Sequence, residues 1–453
     1  MKKQNSISMA VVNAHAAGID IGSRQHYVAV GQQPEDVRTF NVYTKDHEAM
    51  IAWLKQKSIV TVALESTGTY WQTLFSSLQA AGFDVVLSNN YIKDPQRKTD
   101  TKDCRWLQKM HTLGLLKHSF IPNEEIAQLR SYHRHRSNIV RAASAHTQQM
   151  QKALRLMNLR LDVVLSDITG ESGMKIIEAI ISGERSGGEL SKLTHYKVKK
   201  SKEEIADSLQ GNWKDEQLFI LEDGLEAYKN CHKRIASCDK KIEALLLLMT
   251  NNVRQEEQQN QQDKQKTIPV KVKNKRYKNA PGFNAAAISR DYFGVDLLNI
   301  EGVGANTILT FIAEVGNDIY KFPTKKNFTS WLRLAPNNKK TGDKVISSRT
   351  PKGKNIMANA FRVAANTIAQ RKDGVLKKIF SRIAYKKGRS AAITAVARRL
   401  AEIFWIMTVK KVPYQPKNEE LYEAQVKRNV IKNIQHKMRR LGLTVEDVIV
   451  ATN

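Results

Sequence analysis

Between residues 17 and 87 short apolar runs of β type alternate with segments of helical spacing, and no other feature restricts the fold as strongly. Residues 17–21 and 26–30 are short apolar strands separated by a Gly22-Ser23 turn, and residues 37–42 make a third. Residues 47–57 have helical spacing, 60–64 are a buried type of strand, 71–81 are helical, and 83–87 are again a buried strand. Three strands followed by helix–strand–helix–strand predict a mixed sheet covered by helices, because each apolar face must be buried against another layer.

Beyond this α/β region the pattern turns helical. Residues 124–158 form one long Gly-free helical segment with basic and polar residues interleaved, and 217–249 form a second. Two helices of this length can pair as an antiparallel coiled coil. Residues 161–214 read as smaller helices joined by turns such as Ser186-Gly187-Gly188. Residues 255–265 are glutamine-rich and 264–278 lysine-rich, the composition of a solvated linker. Residues 294–409 read as a compact, mostly helical domain, and one or two basic helices follow Tyr414. The expected organisation is 1–122, 123–250, 251–290, 291–414 and 415–453, without internal repeats.

Seventy-three Lys and Arg against 44 Asp and Glu leave a formal charge of +29 on 453 residues. Such a chain attracts polyanions by counterion release, and nucleic acid is the leading one. An anionic membrane is the rival, but no lipidation motif or amphipathic anchor supports it, and no run approaches the roughly 18 apolar residues of a span. Residues 1–10 hold two lysines and no apolar core, so no signal peptide is expected. Cys104, Cys231 and Cys238 match no zinc spacing and suit reduced thiols of a cytoplasmic protein.

Four carboxylates stand out. Asp20 sits inside the apolar strand Gly18-Ile19-Asp20-Ile21-Gly22, where a carboxylate is expensive unless it binds something. Glu65 ends the next buried strand, where α/β folds place their chemistry. Asp100 and Asp103 share one face near a helix start, after the basic pair Arg97-Lys98. Together they can converge on Mg²⁺, which takes oxygen ligands and completes its shell with phosphate and water. Two such ions about 4 Å apart would clamp the attacking and leaving oxygens of phosphoryl transfer. Taken singly, Asp20 can be a turn residue, Asp100 a helix N-cap and Glu65 an ordinary strand-end carboxylate.

Other segments bear on nucleic acid. Gly302 and Gly304, in Ile300-Glu301-Gly302-Val303-Gly304, suit either a helix-hairpin-helix turn whose amides approach a phosphate or a plain helix–helix turn. Arg130, His133, Arg134, His135, Arg136 and Arg141 lie on the first long helix, as an RNA-tracking row or a solvated face. Lys344, Arg349, Lys352, Lys354 and Arg362 follow in the C-terminal region. Lysines 264–278 are a contacting tether or a solubilising linker.

The order and setting of the four carboxylates resemble the DEDD set of the insertion-sequence-110 family of transposases, relatives of the Piv and MooV DNA invertases. The matching segments are Gly18-Ile19-Asp20, Glu65-Ser66-Thr67-Gly68-Thr69-Tyr70-Trp71 and Arg97-Lys98-Thr99-Asp100-Thr101-Lys102-Asp103. Ile300-Glu301-Gly302-Val303-Gly304, Trp331-Leu332-Arg333-Leu334-Ala335-Pro336-Asn337-Asn338-Lys339 and Ser347-Ser348-Arg349-Thr350 are family-like too. The resemblance implies a RuvC-like (RNase H-like) α/β domain, a long helical coiled-coil insertion and a mainly α C-terminal transposase domain. It implies recombination of donor and target DNA guided by a non-coding bridge RNA. It also implies a homo-oligomer, dimer or tetramer, with sites built from two subunits, working at the nucleoid.

The family's nucleophile is a serine in a Ser-Gly-Gly-Lys-like motif after Pro-Asn-Asn-Lys. Here Thr341-Gly342-Asp343-Lys344 stands in its place. Threonine still offers a hydroxyl. Its β-branch stiffens χ1, and Asp343 adds charge that opposes an incoming phosphate. Thr341 is the expected equivalent. Ser347 and Ser348 are the fallback nucleophiles or, alternatively, a phosphate-contacting or surface strand pair. A carboxylate-only, Holliday-junction-type nuclease and a silent nucleic-acid-binding relative are the competing readings.

Overall fold

A computed structural model describes residues 9–66, 68–88, 99–259, 278–342, 344–416 and 418–442, with the side chains of 253–259 and 286 excepted. The chain divides into two compact units, Met1–Ile121 and Pro122–Asn453.

The first unit is built on a five-stranded sheet. In chain order its elements are β1 (Ala16–Ile21), β2 (Gln25–Ala29), β3 (Val37–Asn41), α1 (Thr44–Gln56), β4 (Thr61–Glu65), α2 (Trp71–Ala80), β5 (Asp84–Ser88) and α3 (Asp100–Thr112). The strand order is β3-β2-β1-β4-β5. The first three strands pair antiparallel, and β4 and β5 join β1 in parallel. One core packs Ile19, Met50, Leu54, Leu64, Leu74 and Leu78 between sheet and helices. A smaller one sets Ala63 against Leu107, Met110 and Leu116, so it belongs to the face that α3 covers. Gly18 explains how α3 lies so close. A Cβ there would sit 2.3 Å from the Gln108 amide nitrogen and 2.7 Å from the Cys104 carbonyl, so only glycine lets helix backbone meet strand backbone.

The second unit opens with α4 (Glu124–Leu156), 33 residues and about 50 Å long. Asn123 caps it, its side chain accepting from the Ile126 amide at 2.9 Å. Short helices α5 (Leu161–Val164), α6 (Glu171–Ile181), α7 (Gly187–Lys192) and α8 (Lys202–Ser208) lead into α9 (Asp215–Gln259). Glu125 meets Asn252 and Arg136 meets Asp239, so α4 and α9 run antiparallel. Leu154, Met157, Ile176, Ile180, Leu190, Ile205 and Leu221 form the core that the short helices add to this pair. Helix α9 runs through residues 251–259, read above as the start of a linker. Glutamine is a good helix former, and its polarity alone does not end a helix.

Then come α10 (Ala285–Phe293), α11 (Ala305–Glu314), α12 (Lys325–Trp331), the hairpin strands β6 (Lys339–Thr341) and β7 (Lys344–Ser347), α13 (Ile356–Ala369), α14 (Val375–Lys387), α15 (Arg389–Lys410) and α16 (Glu419–Leu441). Helix α10 occupies the end of the expected 251–290 linker. Phe311, Phe361 and Phe404 are wholly buried, and Phe404 meets the other two edge-on at 5.1 and 4.9 Å. Such pairs add about 0.5–1.5 kcal/mol beyond area burial. The helical pair and the C-terminal helices belong to one unit, joined by ion pairs between α4 and α11. Helix α16 buries none of its residues. Among the described residues no helix is long and apolar enough to cross a membrane.

Candidate functional site

Strand register places the first two carboxylates. Gly18 pairs with Ala63 and Ile19 with Leu64 across parallel β1 and β4, so Asp20 and Glu65 are the next neighbours. Side chains alternate along a strand. Asp20 therefore shares the face of Gly18, and Glu65 that of Ala63, and this is the face α3 covers. Both stand half-buried at the C-terminal ends of their strands. Helix α3 runs antiparallel to β1, with Gln108 Nε2 donating to the Ala16 carbonyl at 3.1 Å. Its first turn therefore lies toward Asp20. Cys104, whose carbonyl lies against Gly18, is close enough that burial and then the Asp20 charge push its thiol up to about 12.

Asp100 and Asp103 occupy that first turn, Asp100 exposed and Asp103 half-buried. Asp100 is not the N-cap. Thr99 takes that duty, its side chain accepting from the Lys102 amide. Neither aspartate enters an ion pair among the described residues, and the helix dipole favours both there. Asp20 and Glu65 are thus register neighbours, and the α3 turn that carries Asp100 and Asp103 lies over the same sheet face. Among the described residues no three His, Cys, Asp or Glu side chains already close into a metal cage. Carboxylate oxygens are the donor type that a hard divalent cation takes, and of these four side chains Asp100 is exposed while Asp20, Glu65 and Asp103 are half-buried. Arg97 and Lys98 lie outside the described residues.

Thr341 ends β6 at the tip of the exposed β6–β7 hairpin and pairs in register with Lys344. Gly342 takes φ of +55°, and Asp343 lies outside the described residues. Lys339, Lys340 and Lys344 are exposed around it. Ser347 sits opposite Lys339 at the hairpin base, its hydroxyl accepting from the Arg349 amide at 3.4 Å, and Ser348 follows it. Arg349 is exposed, and its carbonyl accepts from the Asn337 amide at 3.0 Å. Lys352 and Lys354 are exposed on the next loop. Arg333, not singled out as a site residue, holds that loop by donating to the Lys352 carbonyl. Its φ of +57° marks it as unusual only once the backbone is seen.

The basic row on α4 is mostly committed elsewhere. Arg134 grips Glu314 of α11 with two hydrogen bonds of 2.9 and 2.8 Å. Arg136 is 5 % exposed, pairs with Asp239 and donates to the Asn279 and Ala280 carbonyls, so it is an internal tie rather than a phosphate contact. His133 is buried beside Thr310, and burial holds its imidazole down to about 4. Gly302 is also structural. With φ of +74°, its Cβ would lie 2.6 Å from Ile368 Cγ1 and 2.9 Å from the Ala364 carbonyl, so it admits α13. Gly304, at the N-cap of α11, has open space. Lys278 reaches back to Asp167 and Thr169, while 264–277 lie outside the described residues.

Residues 17–159 match the DEDD transposase domain of the IS110 family, and residues 296–381 match the transposase domain of the IS116/IS110/IS902 family. The chain belongs to the IS110 family of transposases. It is an insertion-sequence transposase or recombinase, an enzyme class whose substrate is DNA. The first match takes in all four carboxylates, and the second takes in the hairpin with Thr341. No curated protein matches the chain.

Proposed function

We propose that this transposase is an RNA-guided recombinase whose Thr341 hydroxyl attacks a DNA phosphodiester. The observation that carries the reading is the register that sets Asp20 beside Glu65, with Asp100 and Asp103 on the helix turn above the same sheet face. That placement supports reading the sheet as a RuvC-like (RNase H-like) domain. Asp20, Glu65, Asp100 and Asp103 would hold Mg²⁺, one ion or two, which when bound neutralises charge developing on the phosphate.

In the attack the Thr341 Oγ forms a P–O ester and releases its proton to solvent. The bond from phosphorus to one deoxyribose oxygen breaks, and that oxygen takes up a proton. A deoxyribose hydroxyl of another strand then attacks the phosphothreonine ester, rejoins the DNA and returns the hydroxyl of Thr341. Lys340 and Lys344, exposed beside Thr341, would hold the phosphate, and Arg349, Lys352 and Lys354 the flanking backbone. The +29 charge supports binding of nucleic acid; an RNA guide, bound with donor and target DNA by a homo-oligomer at the nucleoid of the cytoplasm, is what the family resemblance adds to this reading.

The test is covalent trapping. Purified protein, RNA transcribed from the flank of its own element, matching DNA and Mg²⁺ are combined and resolved on a denaturing gel. A protein–DNA adduct mapped to Thr341 is expected. An adduct at Ser347 or Ser348 moves the nucleophile. Cleavage without any adduct indicates a carboxylate-only nuclease, and binding without cleavage a silent relative.

A further inference from the structure

The turn between α7 and α8 holds an aromatic ring in solvent. Tyr196 is 83 % exposed, so it contributes little to any core. Its surroundings are nevertheless ordered. The His195 amide donates to Ser172 Oγ at 2.9 Å, and the Val198 amide donates to the His195 carbonyl at 3.0 Å. Lys202 Nζ spans the base of the loop, donating to the Ser191 and Thr194 carbonyls and to Thr194 Oγ1. The Lys197 amide donates to His195 Nδ1, which fixes that ring. The His195 ring lies 4.3 Å from the Tyr196 ring, and Lys197 Nζ stands 5.6 Å from its centroid.

Along the loop itself the charge is one-sided, and Glu171 of α6 is the carboxylate whose charge reaches His195. Residues 190–202 hold five lysines and no acidic residue. Lys192 and Lys200 pair with Glu189 and Glu204, and Lys202 is used at the base. Lys197 and Lys199 enter no ion pair among the described residues. A solvent-facing aromatic ring with one ammonium group over it and a second outside any ion pair among the described residues has the chemistry that takes unpaired nucleotides. The ring stacks a base of any identity, and the lysines meet the phosphates on either side.

We propose that the His195–Tyr196–Lys197–Lys199 turn is a docking platform for single-stranded nucleic acid. This rests on the reading of the chain as a nucleic-acid recombinase. It adds a contact outside both the carboxylate corner and the nucleophile hairpin. RNA and single-stranded DNA share the recognised chemistry, base face and phosphate. A duplex keeps its base faces stacked inside and is not a ligand for the ring.

The experiment is fluorescence anisotropy on the full chain with three labelled probes: an unstructured RNA, the same sequence as single-stranded DNA, and a duplex DNA. Tyr196→Ala should weaken single-strand binding about tenfold, with duplex binding unchanged. Tyr196→Phe, which keeps the stacking face, should bind as the parent does. Lys197→Ala with Lys199→Ala should lower the slope of log affinity against log salt by about 1.4 on single strands. Because the ring is exposed, the melting temperatures of these variants should match the parent. RNA affected more than DNA, or the reverse, names the strand that docks.

Equal single-strand affinities for the parent and Tyr196→Ala overturn the platform while leaving the recombinase reading intact. So does a parent that binds duplex but no single strand. A parent that binds none of the three probes overturns both.

Discussion

The carboxylate corner and the threonine hairpin are built by opposite means. Asp20 and Glu65 ride on paired parallel strands whose positions are set by a buried core, and Asp100 and Asp103 on a helix clamped to that sheet through Gly18. Thr341 rides on two short strands whose exposed side chains include Val345 and Ile346. The first arrangement fixes where charge sits to within a strand register. The second presents an exposed hydroxyl and leaves its aim to turn geometry. On the proposed function this contrast has a reason: carboxylates that neutralise charge need a rigid place, whereas a nucleophile must reach a large substrate.

Substitutions at the two places should therefore fail differently. The largest effect is expected at the hairpin. Thr341→Ala should abolish the protein–DNA adduct on a denaturing gel while melting as the parent does, since the side chain is exposed. Thr341→Ser should keep the adduct, and Ser347→Ala should leave it unchanged. An adduct persisting in Thr341→Ala would remove the hairpin tip from the chemistry.

Asp20→Asn comes next. It should slow adduct formation on the order of 10²–10³-fold. In the parent, added Mg²⁺ should raise the melting temperature by linkage, and in Asp20→Asn that rise should shrink. If Mg²⁺ shifts neither protein, the corner is not a cation site.

Two changes probe the rigidity of the first unit directly. Gly18→Ala forces a Cβ into the α3 backbone and should cost about 1–3 kcal/mol in a urea titration, with activity lost as the helix moves from Asp20. Acid should act through the buried pair His26 and His47, whose rings lie 5.5 Å apart. Burial, then the His47 charge, pulls His26 down to about 4; burial also lowers His47. The folded chain thus binds fewer protons than the unfolded one between about pH 6.5 and 4. The contribution is complete above that window and falls as pH drops through it, by up to about 3 kcal/mol for His26. His26→Leu should flatten this slope.

The two regions were also unequally legible in the sequence. The strands and Asp20 were readable because period-two apolarity is local, and a carboxylate inside it is conspicuous. The cap of α3 was harder, since Thr99 and Asp100 are both good caps and only backbone geometry chooses between them. Arg136 looked like a free cation. Its partner Asp239 is 103 residues away, and nothing local says which side of a long helix faces inward. Gly302 suits a phosphate turn or a plain helix–helix turn on sequence alone, and only the distant Ile368 of α13, which it admits, gives it a packing role. The pairing of Thr341 with Lys344 is hard to read because β6 and β7 are only three and four residues long and lysine-rich, with little alternating apolarity.

The smallest expected effect separates the two designs most directly. Gly342 sits at φ +55° in the hairpin turn, and a Cβ there meets nothing within 4 Å. Gly342→Ala should therefore cost only the backbone strain of a left-handed alanine, about 1 kcal/mol, and the exposed hairpin passes little of that to the core. Its activity should fall further than its stability does, because the turn sets the direction of the Thr341 hydroxyl. Gly342→Asn should recover most of the rate, asparagine tolerating this conformation. Gly18→Ala should show the reverse order, with stability lost first and activity following it. Were Gly342→Ala to lower the melting temperature as much as Gly18→Ala, the hairpin would be part of a packed core, and the contrast between a fixed carboxylate site and a freely presented nucleophile would not hold.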